Sequence, residues 1–164
     1  MKKLRDGSFT VKPKFKVGAH ESVSSLLIAR AQKHPKQVAV EQRTPVGLPQ
    51  PVTAEELLAQ VNDVARGLIG QGIPPGDAVA ILSSTSYEWM LLDYAILSIG
   101  AITVPIYESD SAAQIEHILT DAKVIQVFTQ TSQQAELVES VRTPNVRFID
   151  SIDRGAMRNI ATAA

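Results

Sequence analysis

The sequence contains no cysteine, which removes disulfides, a cysteine nucleophile and thiolate metal sites from consideration. Such a chain fits a reducing compartment, and a cytoplasmic location is expected. Histidine is also scarce. His20, His34 and His117 are scattered, with no carboxylate or second histidine at ligand spacing, so no metal site is expected. His117 reads most simply as a surface pair with Glu116. Long apolar runs are absent too. The longest candidate, Trp89 to Ile106, carries Asp93 and is divided by Gly100 and Pro105, whereas a spanning helix needs about 20 continuous apolar residues. No secretory signal is expected, because Lys2, Lys3 and Arg5 are followed by the polar stretch Gly7 to Lys16. There is no internal repeat and no low-complexity tract.

What is present is the composition of a globular domain: 164 residues, 45% hydrophobic and 20% charged. The formal net charge of −1 hides an asymmetry. Residues 1–36 hold nine Lys/Arg against two Asp/Glu, and the remainder holds seven against fifteen. A basic arm on an acidic body could meet a second subunit or touch an anionic membrane, although a solvated tail is the simpler account. No nucleic-acid-binding module accompanies it.

Residues 1–19 alternate loosely (Phe9, Val11, Phe15, Val17) and are expected to form a basic extended arm. A helix is predicted over 22–33, and a short hairpin across Thr44–Pro49. Thr53 and Glu56 form a capping box, followed by Leu57, Leu58, Val61, Val64, Ala65 and Leu68 on one helical stripe. Gly70 and Gly72 stop that helix. Strands are then predicted at Ala78–Leu82, Ala101–Val104, Val124–Phe128 and Val146–Ile149, with helices at 86–99, 112–122 and 132–142 between them. Thr85 with Glu88, Ser111 with Gln114 and Thr131 with Gln134 repeat the capping-box spacing. Alternating strands and helices, with apolar rather than alternating strands, imply an α/β fold whose mostly parallel sheet is flanked by helices. The α/β domain is expected over 20–150 and a truncated tail over 151–164.

Ligands of open parallel sheets bind beyond the carboxyl ends of the strands. Here those ends carry Ser83 to Thr85, Pro105 to Glu108 and Thr129 to Thr131, which place Ser83, Ser84, Thr85, Tyr107 and Thr129 on one polar rim. Helix capping is the plainer role for its hydroxyls. The run Gly70 to Gly76 is not a phosphate loop, since it follows a helix and lacks the dinucleotide-binding spacing. Ser84 lacks the glycines of a nucleophile elbow, and no carboxylate pair stands out for acid–base work. No catalytic, cofactor-binding or metal-binding residue is assigned.

Three runs carry a resemblance. Ile81 to Trp89, Asp93 to Leu97 and Gly100 to Tyr107 resemble the adenylate-forming superfamily, and more narrowly the long-chain fatty acid–CoA ligases. The resemblance extends over about residues 15–150 and implies the N-terminal subdomain of that fold. It implies ATP, magnesium and CoA for the full enzyme, which activates a fatty acid through an acyl-adenylate. The phosphate loop, ribose-binding acid and C-terminal lysine of that chemistry match nothing here, so no cofactor is expected on this chain alone. The helix after Thr85 is apolar nearly all round, broken only by Glu88, Asp93 and Ser98. It therefore calls for cover from the remainder of the synthetase or a second subunit. Trp89 at its start is expected in the core. The alternatives are a non-catalytic dimerisation or regulatory module, and a free-standing nucleotide-binding domain.

Overall fold

The computed structural model describes residues 2–43 and 47–162. The chain opens with β1 (Lys2–Lys3) and β2 (Phe9–Thr10), an antiparallel pair followed by irregular chain to the first helix. Every side chain of residues 2–22 is exposed.

Helix α1 (Val23–Lys33) starts at Ser22, whose hydroxyl accepts from the Ser25 amide. The predicted hairpin is present as β3 (Val38–Arg43) and β4 (Pro49–Thr53). Within its predicted turn, Thr44, Pro45 and Val46 lie outside the described residues. Helix α2 (Ala54–Gly70) begins at the Thr53–Glu56 capping box: the Glu56 amide donates to Thr53 Oγ1, and the Thr53 amide donates to Glu56 Oε2 at 2.8 Å. Gly72, at φ 77°, makes the left-handed turn out of this helix.

Strand β5 (Ala78–Leu82), helix α3 (Tyr87–Ser98), strand β6 (Ile102–Ile106), helix α4 (Ala112–Asp121), strand β7 (Gln126–Thr129), helix α5 (Ser132–Ser140) and strand β8 (Phe148–Ser151) follow in order. The four strands pair in parallel in the order β6-β5-β7-β8. Their alternating side chains build two cores. Val79, Ile81 and Phe128 pack with α1, α2 and α3, while Ala78, Ala80, Leu82 and Val127 pack with α4 and α5. Fully burying one such aliphatic side chain stabilises by about 1.5–3 kcal/mol. The α/β architecture read from the sequence is therefore the one present. No helix among the described residues is long and apolar enough to cross a membrane.

Three expectations are corrected. The cap of α3 is Ser86, whose hydroxyl accepts from the Trp89 amide at 3.2 Å, not Thr85 with Glu88. Residues 151–162 are not a tail apart from the domain: a 3₁₀ turn (Ile152–Arg154) leads into α6 (Ala156–Thr162), and Ala156 and Ile160 are buried in the α2 core. Gly67 permits this docking, because a Cβ there would lie 1.9 Å from the Ile160 carbonyl oxygen. Finally, Trp89 is half-buried rather than interior. Helix α3 buries Leu91, Leu92, Ala95 and Ile96, but Trp89, Met90 and Tyr94 are only half-covered. Met90 and Trp89 line an open groove of about 400 Å³ with Val40 and Tyr87.

Candidate functional site

The connections from β5 to β6 and from β6 to β7 place β6 and β7 on opposite sides of β5. The topological switch point, where such sheets take ligands, therefore lies between the ends of β5 and β7. The loop after β5 carries Ser83, Ser84 and Thr85, and the loop after β7 carries Gln130 and Thr131.

Gln130 closes that crevice. Its backbone amide donates to the Leu82 carbonyl at 3.0 Å, extending the β5–β7 ladder. Its side-chain Oε1 accepts from the Ser84 amide at 3.1 Å and from the Ser84 hydroxyl at 2.8 Å. The groups that could greet an anion at this position are thus engaged by a neutral amide. Ser83 is buried, with its hydroxyl donating to the Ser84 carbonyl at 2.8 Å.

The rim predicted from the sequence is divided by the structure. Ser83, Ser84, Thr85 and Tyr107 come together in a cleft of about 380 Å³. Trp89, Pro105, Ile106 and Glu108 complete its lining. Thr129 does not join them. It is fully buried, and its hydroxyl donates to the Thr131 carbonyl at 3.0 Å, with a longer contact to the Asp150 carbonyl. Its place near the strand end was legible, but its inward direction was not. Glu108 and Gln130 lie in the strand-end loops read from the sequence, whereas Trp89 was read as core and missed as a lining residue. Trp89 could have been found from its position in the first turn of α3, directly above the strand ends. Tyr107 stands 79% exposed, so its ring is available at the cleft mouth.

Beside the cleft, α5 is capped by Thr131, with Gln134 Oε1 accepting from the Gln130 and Thr131 amides at 3.1 Å each. Asp153 accepts from the Ser151 hydroxyl and from the Ser132 amide, and these hydrogen bonds hold its carboxyl below the usual range. Burial pushes the Tyr87 phenol above its ordinary value, against the hydrogen bond that it donates to Gln60. None of these groups converges as an acid–base pair.

Among the described residues no group of three His, Cys, Asp or Glu side chains could hold an ion, and the Ser84 donors are already taken. The cleft is lined by hydroxyl groups, the Trp89 and Tyr107 rings and the Glu108 carboxylate.

Fold and edge together define a doubly wound α/β unit whose switch-point crevice is bridged by Gln130. The family model described as "AMP-binding enzyme" matches residues 27–162, and the chain belongs to that family. It is 40% identical over 124 residues to the long-chain-fatty-acid–CoA ligase FadD15 of Mycobacterium bovis, covering 76% of this chain and 20% of that protein. The matched region is the N-terminal part of the ligase. The chain thus spans about a fifth of the length of this curated relative. Among solved structures, the anthranilate CoA ligase AuaEII superposes with a TM-score of 0.77 at 22% identity, covering 89% of this chain and 28% of that one. A Mycobacterium tuberculosis fatty acyl CoA synthetase superposes with a TM-score of 0.73 at 24% identity, covering 86% and 28%.

Proposed function

We propose that this chain supplies the N-terminal subdomain of an ATP-dependent long-chain fatty acid–CoA ligase and does not catalyse that reaction alone. The observation that carries the reading is the 40% identity to FadD15 over 124 residues, which make up only a fifth of that ligase. ATP, magnesium and CoA belong to the whole enzyme, acting in the cytoplasm. The part played here is structural: to hold the β5–β6 cleft and the exposed side of α3 against the rest of the ligase. The half-covered Trp89, Met90 and Tyr94 support that role, because an apolar helix face left open to water gains from being covered.

A chimera tests this reading. Residues 27–162 replace the matching segment of FadD15, and acyl-CoA formation from a long-chain fatty acid is measured. The expected result is a chimera that unfolds cooperatively and retains fatty-acid-dependent acyl-CoA synthesis. A chimera that folds equally well but makes no acyl-CoA contradicts the assignment. Full activity of the isolated chain contradicts its second half.

A further inference from the structure

We propose that residues 2–17 are a docking arm for a membrane surface rich in anionic phospholipid. The inference rests on charge, sequence pattern and exposure, and stands independently of the ligase reading.

From Phe9 to Val17 the alternation is strict. Phe9, Val11, Pro13, Phe15 and Val17 occupy one parity, and Thr10, Lys12, Lys14 and Lys16 the other. Only Phe9–Thr10 is strand here, and the chain bends at Lys14–Phe15. Drawn out straight against a surface, the segment would carry an apolar edge and an ammonium edge, since successive side chains of an extended chain point to opposite sides. Lys3 Nζ lies 5.9 Å over the Phe9 ring within the arm, but neither edge packs on the core of the domain. Phe9 is 59% exposed, Phe15 74% and Val17 66%, and no buried core residue precedes Leu27. Apolar groups left this open on a structured domain call for a surface to enter.

Charge selects the surface. Residues 2–17 hold six Lys/Arg and one Asp, while residues 37–164 hold seven Lys/Arg and fifteen Asp/Glu. An anionic bilayer attracts the arm and repels the body, which fixes the orientation of approach. Lysine stems can lie along the headgroup zone with their ammonium groups at the phosphates, while the Phe rings enter the acyl boundary. A nucleic acid would engage the lysines but leave Val11 and Val17 in water, so the pattern favours lipid.

The full chain is sedimented with vesicles of phosphatidylcholine alone and of equal parts phosphatidylcholine and phosphatidylglycerol. It is expected to pellet with the mixed vesicles and to stay in solution with the neutral ones. Each basic group near such a surface contributes about a fivefold gain. The triple variant Lys12→Gln, Lys14→Gln, Lys16→Gln should therefore bind roughly 100-fold more weakly, and raised salt should act in the same direction. The pair Phe9→Ser and Phe15→Ser keeps the charge and should also weaken binding, about tenfold for each ring. An unchanged urea midpoint in both variants shows that the domain is intact.

Equal pelleting with both vesicle types overturns the proposal, as does binding by the triple variant within twofold of the parent. Failure of the parent to pellet overturns it as well. An arm-dependent dimer or an arm-dependent nucleic-acid complex, in a chain that ignores vesicles, assigns the arm to another partner and rejects lipid.

Discussion

Gly67→Ala separates a docked α6 from a loose one. In an exposed helix interior this change stabilises by about 1 kcal/mol, because alanine restricts the unfolded chain. At this position the new Cβ would sit 1.9 Å from the Ile160 carbonyl oxygen and 2.7 Å from both its carbonyl carbon and Cγ1. Two of those atoms are backbone, so no side-chain rotation clears the space and α6 must move. Displacement exposes Ile160 and Ala156, now 2% and 4% exposed. Losing the isoleucine burial alone costs about 1.5–3 kcal/mol. Set against the propensity gain, with the remainder of the α6 contacts added, the net is a destabilisation of about 2 kcal/mol. For a domain of this size that lowers the melting temperature by roughly 4–8 °C. Urea and thermal unfolding followed by circular dichroism read the shift. Ile160→Ala should cost about 2–5 kcal/mol in the parent and much less in the Gly67→Ala background, because both act on one docking event. A Gly67→Ala protein as stable as the parent, or more stable, would refute the packing of α6 on α2.

Thr53→Ala removes the α2 cap and should cost about 1 kcal/mol in urea unfolding, leaving the far-ultraviolet spectrum nearly unchanged. The reciprocal bonds from Thr53 depress the Glu56 carboxyl below its ordinary 4.5. Its contribution is therefore present above the unfolded value and is lost as pH falls through the depressed folded value. The stability difference between the parent and Glu56→Gln should accordingly shrink below pH 4.5, and a difference that grows on acidification contradicts the assignment. Gln130→Ala frees the Ser84 amide at a cost on the order of 1 kcal/mol. Hydrogen exchange at Ser84 should accelerate more than exchange at Val79 in the same sheet, and equal acceleration means that Gln130 does not close the crevice locally.

Much of the architecture was legible because the local signals agree with the packing. The Thr53–Glu56, Ser111–Gln114 and Thr131–Gln134 spacings mark true helix starts, since each side chain meets an orphan amide within its own turn. Strand limits were read too early. Val124 and Val146 are buried below the sheet but precede the paired segments, whereas the upper strand ends carry Thr129, Asp150 and Ser151, which read as loop. Pro105 read as a break, yet it lies inside β6 because an edge strand tolerates a missing donor. Thr85 and Ser86 are both plausible caps, and only the start of α3 selects Ser86. Helix α6 is short, without a cap of its own, and owes its position to the gap at Gly67, a contact between segments far apart in sequence. The same holds for Gln130, whose reach to Ser84 depends on strand order.

The central claim, that this chain is the N-terminal subdomain of a fatty acid–CoA ligase and needs the rest of that enzyme, is tested most directly by fatty-acid-dependent exchange of labelled pyrophosphate into ATP. The isolated chain, first shown to unfold cooperatively, should give no exchange above the rate without fatty acid. Exchange by the isolated chain that requires both a long-chain fatty acid and magnesium would contradict the account.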